Sequence, residues 1–171
     1  MAQVNDADLI MLMQPLGSSR LPDNFEEMFG ALRAVMEAIQ GLHRLGWCHS
    51  DIRWDNIIYQ DTTVQNWCLI DCFNVTKPSV VVNTGNLTRK NPRRLVKQRI
   101  VSWIDDKRQI TDLIRKFPQI GMAARQFFYP IIQQIENDAP FEAIFNTLTA
   151  LENMPRPVTF YSCCLLPDLH F

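Results

Sequence analysis

Two short apolar runs, Ile57-Ile58-Tyr59 and Trp67-Cys68-Leu69-Ile70, are separated by Gln60-Asp61-Thr62-Thr63-Val64-Gln65-Asn66. The intervening segment is polar and turn-like, so the simplest geometry is a pair of short antiparallel strands. That pairing constrains everything around it. Asp51 and Asn56 lie in a loop that leads into the first run, and Asp71 ends the second. A hairpin therefore brings three oxygen-bearing side chains to one end. Converging carboxylate and amide oxygens suit a hard cation such as Mg²⁺. A carboxylate left off the metal can accept a proton from a hydroxyl.

The loop reads Cys48-His49-Ser50-Asp51-Ile52-Arg53-Trp54-Asp55-Asn56, and the second stretch continues Asp71-Cys72-Phe73. The first resembles the H-x-D-x-x-x-x-N catalytic loop of protein kinases, and the second their metal-binding D-F-G segment. Leu42-His43-Arg44-Leu45-Gly46 before the loop, and the Asp-led run Trp103 to Gln109 after it, are also kinase-like. Leu9 to Gly17 resembles the last upper-lobe strand and the hinge. The His-x-Asp-Ile-Arg-Trp-x-Asn run is similar to divergent kinase-like proteins of fungi and oomycetes, Crinkler-type ones included. The resemblance covers roughly residues 8 to 117.

The resemblance implies a mainly α fold with a few short β-strands, a protein kinase-like C-lobe. It divides the chain into 1–154, a truncated domain of hinge plus C-lobe, and a tail, 155–171. It implies ATP- and Mg²⁺-dependent phosphoryl transfer to protein Ser/Thr hydroxyls. Asp51 would orient and deprotonate the accepting hydroxyl, and Asn56 and Asp71 would hold Mg²⁺ against the nucleotide phosphates. Arg53 would neutralise the γ-phosphate, and Met11, Leu12 and Met13 would form the nucleotide-facing hinge. Asp106 would brace the catalytic-loop backbone, and His49 would be a packing and bracing residue.

Several positions depart from the kinase pattern. No Gly-rich loop and no Val-Ala-Ile-Lys-type strand precede the hinge, so the upper lobe is expected to be missing from this chain. Ser50 stands where kinases carry Arg, Cys72-Phe73 replaces Phe-Gly, and Ala-Pro-Glu is absent. An alternative from another class is a non-catalytic pseudokinase-type binding module, or a fragment of a longer kinase. The expected partners are a protein substrate or a chain that completes the upper lobe.

The rest of the chain reads as ordinary folded protein. Its 171 residues are enough for one core, and hydrophobic and charged contents of 47% and 20% are typical. A net charge of −1 gives no global field toward nucleic acid or a membrane. Five cysteines with no signal-peptide pattern point to free thiols in a reducing compartment, cytoplasmic or nuclear.

Helical spacing of Phe25, Met28, Phe29, Leu32, Val35, Met36, Ile39 and Leu42 predicts the strongest helix, with Asp23 and Glu26 as a capping box and Gly46 as its stop. Pro15 to Asn24 reads as a linker, Leu9 to Met13 as a strand, and Val80 to Val82 as a short strand. Thr88 to Arg99 holds 6 of the 17 basic residues and reads as a solvated loop; an acidic-substrate surface, a phosphate site or a nuclear-import signal are its functional readings. Asp105 or Asp106 starts a helix carrying Ile110, Leu113, Ile114 and Phe117 on one face. Pro130 should kink the run from Ile120 to Ile135 or break it into two, and Phe141 to Leu151 is a last helix.

Zinc is rejected at Cys48, His49, Cys68 and Cys72. On one extended strand, Cys68 and Cys72 would stand about 13 Å apart, too far to share an ion. Cys48-His49 lacks a third member for nucleophilic catalysis. His43, late in its helix, is read as a partner of the helix dipole.

Overall fold

A computed structural model of the chain describes residues 17–60, 66–79, 81–84, 97–117 and 122–156. The hinge-like run that includes Met11, Leu12 and Met13 lies outside them, as do 157–171 of the tail and most of the basic stretch. Among the described residues the fold is mainly helical, with two small two-stranded antiparallel sheets.

Helix α1 spans Phe25–Arg44 and buries Phe25, Met28, Phe29, Ala31, Leu32, Val35, Met36 and Ile39, the apolar face its periodicity predicts. The cap is one residue later than expected: Asn24 Oδ1 accepts from Glu27 N at 2.9 Å. Asp23-Asn24 and Glu26-Glu27 are each two capping-competent neighbours, so the local pattern leaves the register open by one residue. At the other end Gly46 has φ +80, and the N–H groups of Gly46 and Trp47 reach the carbonyls of His43 and Leu42 at 3.0 and 2.9 Å. This is a full Schellman ending, and it turns the chain sharply into the loop that follows.

The expected hairpin is present. Strand β1, Ile57–Gln60, pairs antiparallel with β2, Asn66–Leu69, in the register Ile57 to Leu69. Pro15 to Asn24 is not a free linker in its described part, because Ser18 and Tyr59 exchange both backbone hydrogen bonds at 2.9 Å. Gly17 is what admits this contact: a Cβ there would stand 2.7 Å from Tyr59 O. Arg20 then lays its guanidinium 3.8 Å from the Tyr59 ring centre and grips Glu27 through two bonds of 2.7 and 2.9 Å.

Strand β3, Val81–Thr84, overlaps the expected Val80 to Val82 strand and pairs with β4, Lys97–Ile100. Lys97 to Arg99 therefore belong to a strand, not to the solvated loop their charge suggested. Helix α2, Trp103–Arg115, starts before both aspartates. Ser102 caps it, and Asp105 closes the capping box from the N3 position. Of the two outcomes open at Pro130, the run breaks rather than kinks, with α3 at Met122–Phe127, α4 at Tyr129–Glu136 and Pro130 in the first turn of α4. Helix α5 spans Phe141–Glu152.

One core joins these parts. Phe25 and Phe29 of α1 meet Phe127 and Phe128 at ring separations of 5.2 to 6.2 Å. Ile110 and Ile114 of α2, Ile131 and Ile135 of α4, and Ile144 and Leu148 of α5 complete it. Among the described residues no helix is long and apolar enough to cross a membrane.

Candidate functional site

The loop 48–56 and the stretch 70–76 are tied together at three levels. Cys48 and Thr76 exchange backbone hydrogen bonds of 2.8 and 3.0 Å. At the middle, Asn74 Nδ2 approaches Asp51 Oδ2 at 3.4 Å. At the far end Ile70 N donates to Asn56 O at 2.8 Å, just past the end of the β1–β2 ladder. The last bond sets Asp71 one residue from the level of Asn56. Asp51, Asn56 and Asp71 are thus brought to one end of the hairpin, as the two apolar runs imply.

Asn56 is 4% exposed and ends the 3-10 turn Trp54–Asn56. Its Nδ2 donates to Asp51 O at 2.8 Å and to Asp51 Oδ2 at 3.1 Å. The Asn56 amide nitrogen is thus spent on Asp51. Asp51 keeps partial exposure, and its Oδ1 lies 3.7 Å from Arg53 Nε. Arg53, 56% exposed, also stands 3.9 Å from Asp55. Asp71 adopts φ 66 and ψ 67, and its Oδ1 accepts from Phe73 N at 3.5 Å. That left-handed turn ends the extended chain and leads into the 3-10 turn Cys72–Asn74. Cys68 and Cys72 are therefore not on one strand, so the 13 Å span that excluded a shared ion does not apply to them.

Helix α2 holds the loop from behind. Asp106, fully buried, accepts from His49 N at 2.8 Å, from Ser50 N at 2.8 Å and from His43 Nε2 at 3.0 Å. The bracing role read for Asp106 matches these contacts, whereas the capping role falls to Ser102 and Asp105. His43 serves Asp106 rather than the end of its own helix. His49 is buried; its Nε2 donates to Ile70 O at 3.1 Å and its Nδ1 accepts from Asp51 N at 3.4 Å. It thus braces both stretches.

Three residues that sequence reasoning passed over complete the site. One turn beyond Asp106, Gln109 takes Ile52 N on its Oε1 and gives its Nε2 to Ser50 O at 3.2 Å. Trp54 donates its indole N–H to Leu113 O at 3.0 Å, one of the last-turn carbonyls of α2. Asn74 is the third. A faint signal exists for the first two: positions 106, 109 and 113 recur at helical spacing, so one α2 face serves the loop.

His43, Cys48 and Asp106 also bring ligand-type atoms within 4.8 Å of one another. Asp106 already accepts three N–H donors there. Burial, and then the charges of Asp106 and Asp105, push the Cys48 thiol up to about 11. A carboxylate that already accepts three N–H donors has little left to offer a cation. Asp51, Asn56 and Asp71 carry the oxygen donors, carboxylate and amide, that a hard cation takes.

No family model matches the chain, and no solved structure does. The chain is 43% identical over 68 residues to the Crinkler effector protein 8 of Phytophthora infestans. That match takes in 40% of this chain and 11% of the relative's length.

Proposed function

We propose that this chain forms the lower lobe of a protein kinase-like fold, whose site supports ATP- and Mg²⁺-dependent phosphoryl transfer to protein hydroxyls. The observation that carries the reading is the double donation of Asn56 Nδ2 to Asp51, set beside Asp71 by the bond from Ile70 N to Asn56 O. It gives a part-exposed base candidate, Asp51, held by Asn56, with Asp71 two residues beyond Leu69 at the end of the same hairpin. Carboxylate and amide oxygens are the donors a Mg²⁺ ion takes, and its charge would neutralise phosphate oxygens. Asp51 would accept the hydroxyl proton, Asn56 and Asp71 would hold the ion, and Arg53 would face the transferred phosphate. The similarity to a Crinkler effector supports kinship over a short segment. The covering lobe would come from sequence beyond that segment or from a partner chain.

The first test is the melting temperature with and without millimolar ATP and Mg²⁺, alongside Asp71→Ala. Ligand at about 100 times its Kd adds about 2.7 kcal/mol of stability. A rise that needs Mg²⁺ and disappears in Asp71→Ala is the expected result. Phosphate transfer that persists unchanged in Asp51→Asn would remove Asp51 as the base.

One observation favours a second reading, a non-catalytic binding module. Phe73, two residues beyond Asp71, is 78% exposed. A lone exposed ring is ordinary on a protein surface, so what weighs for a partner here is its place two residues beyond Asp71. No ATP-dependent rise, together with partner capture that Phe73→Ala abolishes, would select this reading.

A further inference from the structure

We infer that Gln109 is the positioning residue for Asp51. The inference rests on the proposed role of Asp51 as proton acceptor, and its test separates the two. Gln109 Oε1 accepts from Ile52 N, and Gln109 Nε2 donates to Ser50 O at 3.2 Å. Its amide therefore occupies the peptide groups on both sides of Asp51, as a neighbouring strand would. Asp106 fixes the same backbone one step earlier, at His49 N and Ser50 N.

Asp51 itself is held at its carbonyl by Asn56 Nδ2 at 2.8 Å and at its N–H by His49 Nδ1 at 3.4 Å, while the residue before it is strained. Ser50 sits at φ 71, a left-handed conformation that a non-glycine residue adopts only when its surroundings enforce it. Its Oγ is buried without a hydrogen-bond partner, so the side chain does nothing to hold the turn. Asp51's own carboxylate is tied by amide groups at 3.1 and 3.4 Å and by a guanidinium at 3.7 Å. Gln109 holds the peptide groups on either side of Asp51, and with Asn56 and His49 it sets the direction of the Asp51 side chain. A glutamine reaches both groups at once; alanine reaches neither, and an ionised glutamate keeps only the acceptor for Ile52 N.

The experiment compares the full chain with Gln109→Ala and Gln109→Glu. Hydrogen exchange by NMR is followed at Ile52 N–H and at the Asn56 side-chain amide, which reports on Asp51 through its two bonds. Exchange within α1 is the control. In Gln109→Ala both reporters should exchange at least tenfold faster while α1 is unchanged. Gln109→Glu should restore protection at Ile52. Phosphate transfer to a Ser/Thr peptide pool should lose at least tenfold in kcat, with the KM for ATP unchanged. Unaltered exchange at Ile52 and Asn56 in folded Gln109→Ala overturns the inference, and so does a fall in transfer carried by KM. If the unmodified chain transfers no phosphate, the functional reading fails, and the exchange data alone decide whether Gln109 positions Asp51. Should Gln109→Ala not fold, Gln109→Glu takes its place, with faster exchange expected at Asn56 and not at Ile52.

Discussion

Asp106 Oδ2 lies 2.8 Å from the amide nitrogen of His49, across 57 positions of sequence. The same carboxylate satisfies Ser50 N and His43 Nε2 in a site closed to water. Removing it leaves three donors without an acceptor. Asp106→Ala should therefore cost about 3–5 kcal/mol, the scale for stripping one partner from a buried charged network. Asp106→Asn, which keeps one acceptor oxygen, should cost less. Urea midpoints of the two variants, read at equal slope, check the order.

Arg20 and Glu27 bind side by side through two parallel bonds, and the Arg20 guanidinium also covers the Tyr59 ring. Arg20, with burial offsetting part of the effect, holds the Glu27 carboxyl below the usual carboxylate range. A lowered folded value contributes stability above the unfolded value, and that contribution is lost as pH falls through the folded one. Glu27→Gln should thus flatten the acid side of the stability profile. A double-mutant cycle with Arg20→Met should give a coupling of about 1 kcal/mol, since both side chains are part-exposed.

Ser50 combines φ 71 with a buried hydroxyl that has no partner. Glycine removes both costs. Ser50→Gly is expected to gain up to about 1 kcal/mol despite the added freedom of the unfolded chain. Thermal unfolding measures it; a loss greater than about 1 kcal/mol would mean that the hydroxyl supports the turn.

Cys48 is fully buried, and its thiol is pushed up to about 11 from 9.0. Being raised on folding, it contributes stability that is complete below pH 9 and lost as pH rises toward 11. The slope in that window is about 1 kcal/mol per pH unit. Denaturant unfolding at pH 8 and pH 10.5 should show the loss, and Cys48→Ala should remove that share of it. With native protein at pH 8, iodoacetamide should label exposed Cys72 and leave Cys48 untouched.

Local rules carried much of the fold. The hairpin, the Gly46 stop and the Pro130 break each follow from residues within a few positions of the feature. The placement of Asn56 and Asp71 at one end of that hairpin follows from the same local rule, whereas Asp51 is held in place by α2 as well. The failures have a common physical origin. Lys97–Ile100 is a strand because Val81–Thr84 pairs with it, and its charges conceal that from a pattern search. Gln109, Trp54 and Asn74 act on distant chain, two of them through backbone groups, which carry no residue-type signature. Arg20 looked like linker until Tyr59 and Glu27 were placed around it.

The grip of α2 on the loop has a kinetic side. Its bonds to residues 49 through 54 span separations of 56 to 59 positions, whereas β1–β2 and the 3-10 turns close over a few. Closing so long a stretch costs chain entropy before any of those bonds repays it. The hairpin therefore has the means to form early, while the backbone around Asp51 waits for α2 to arrive. Substitutions at Asp106 or Gln109 should then speed unfolding more than they slow folding, and the loop, though it runs into a local hairpin, should be among the last parts to become native.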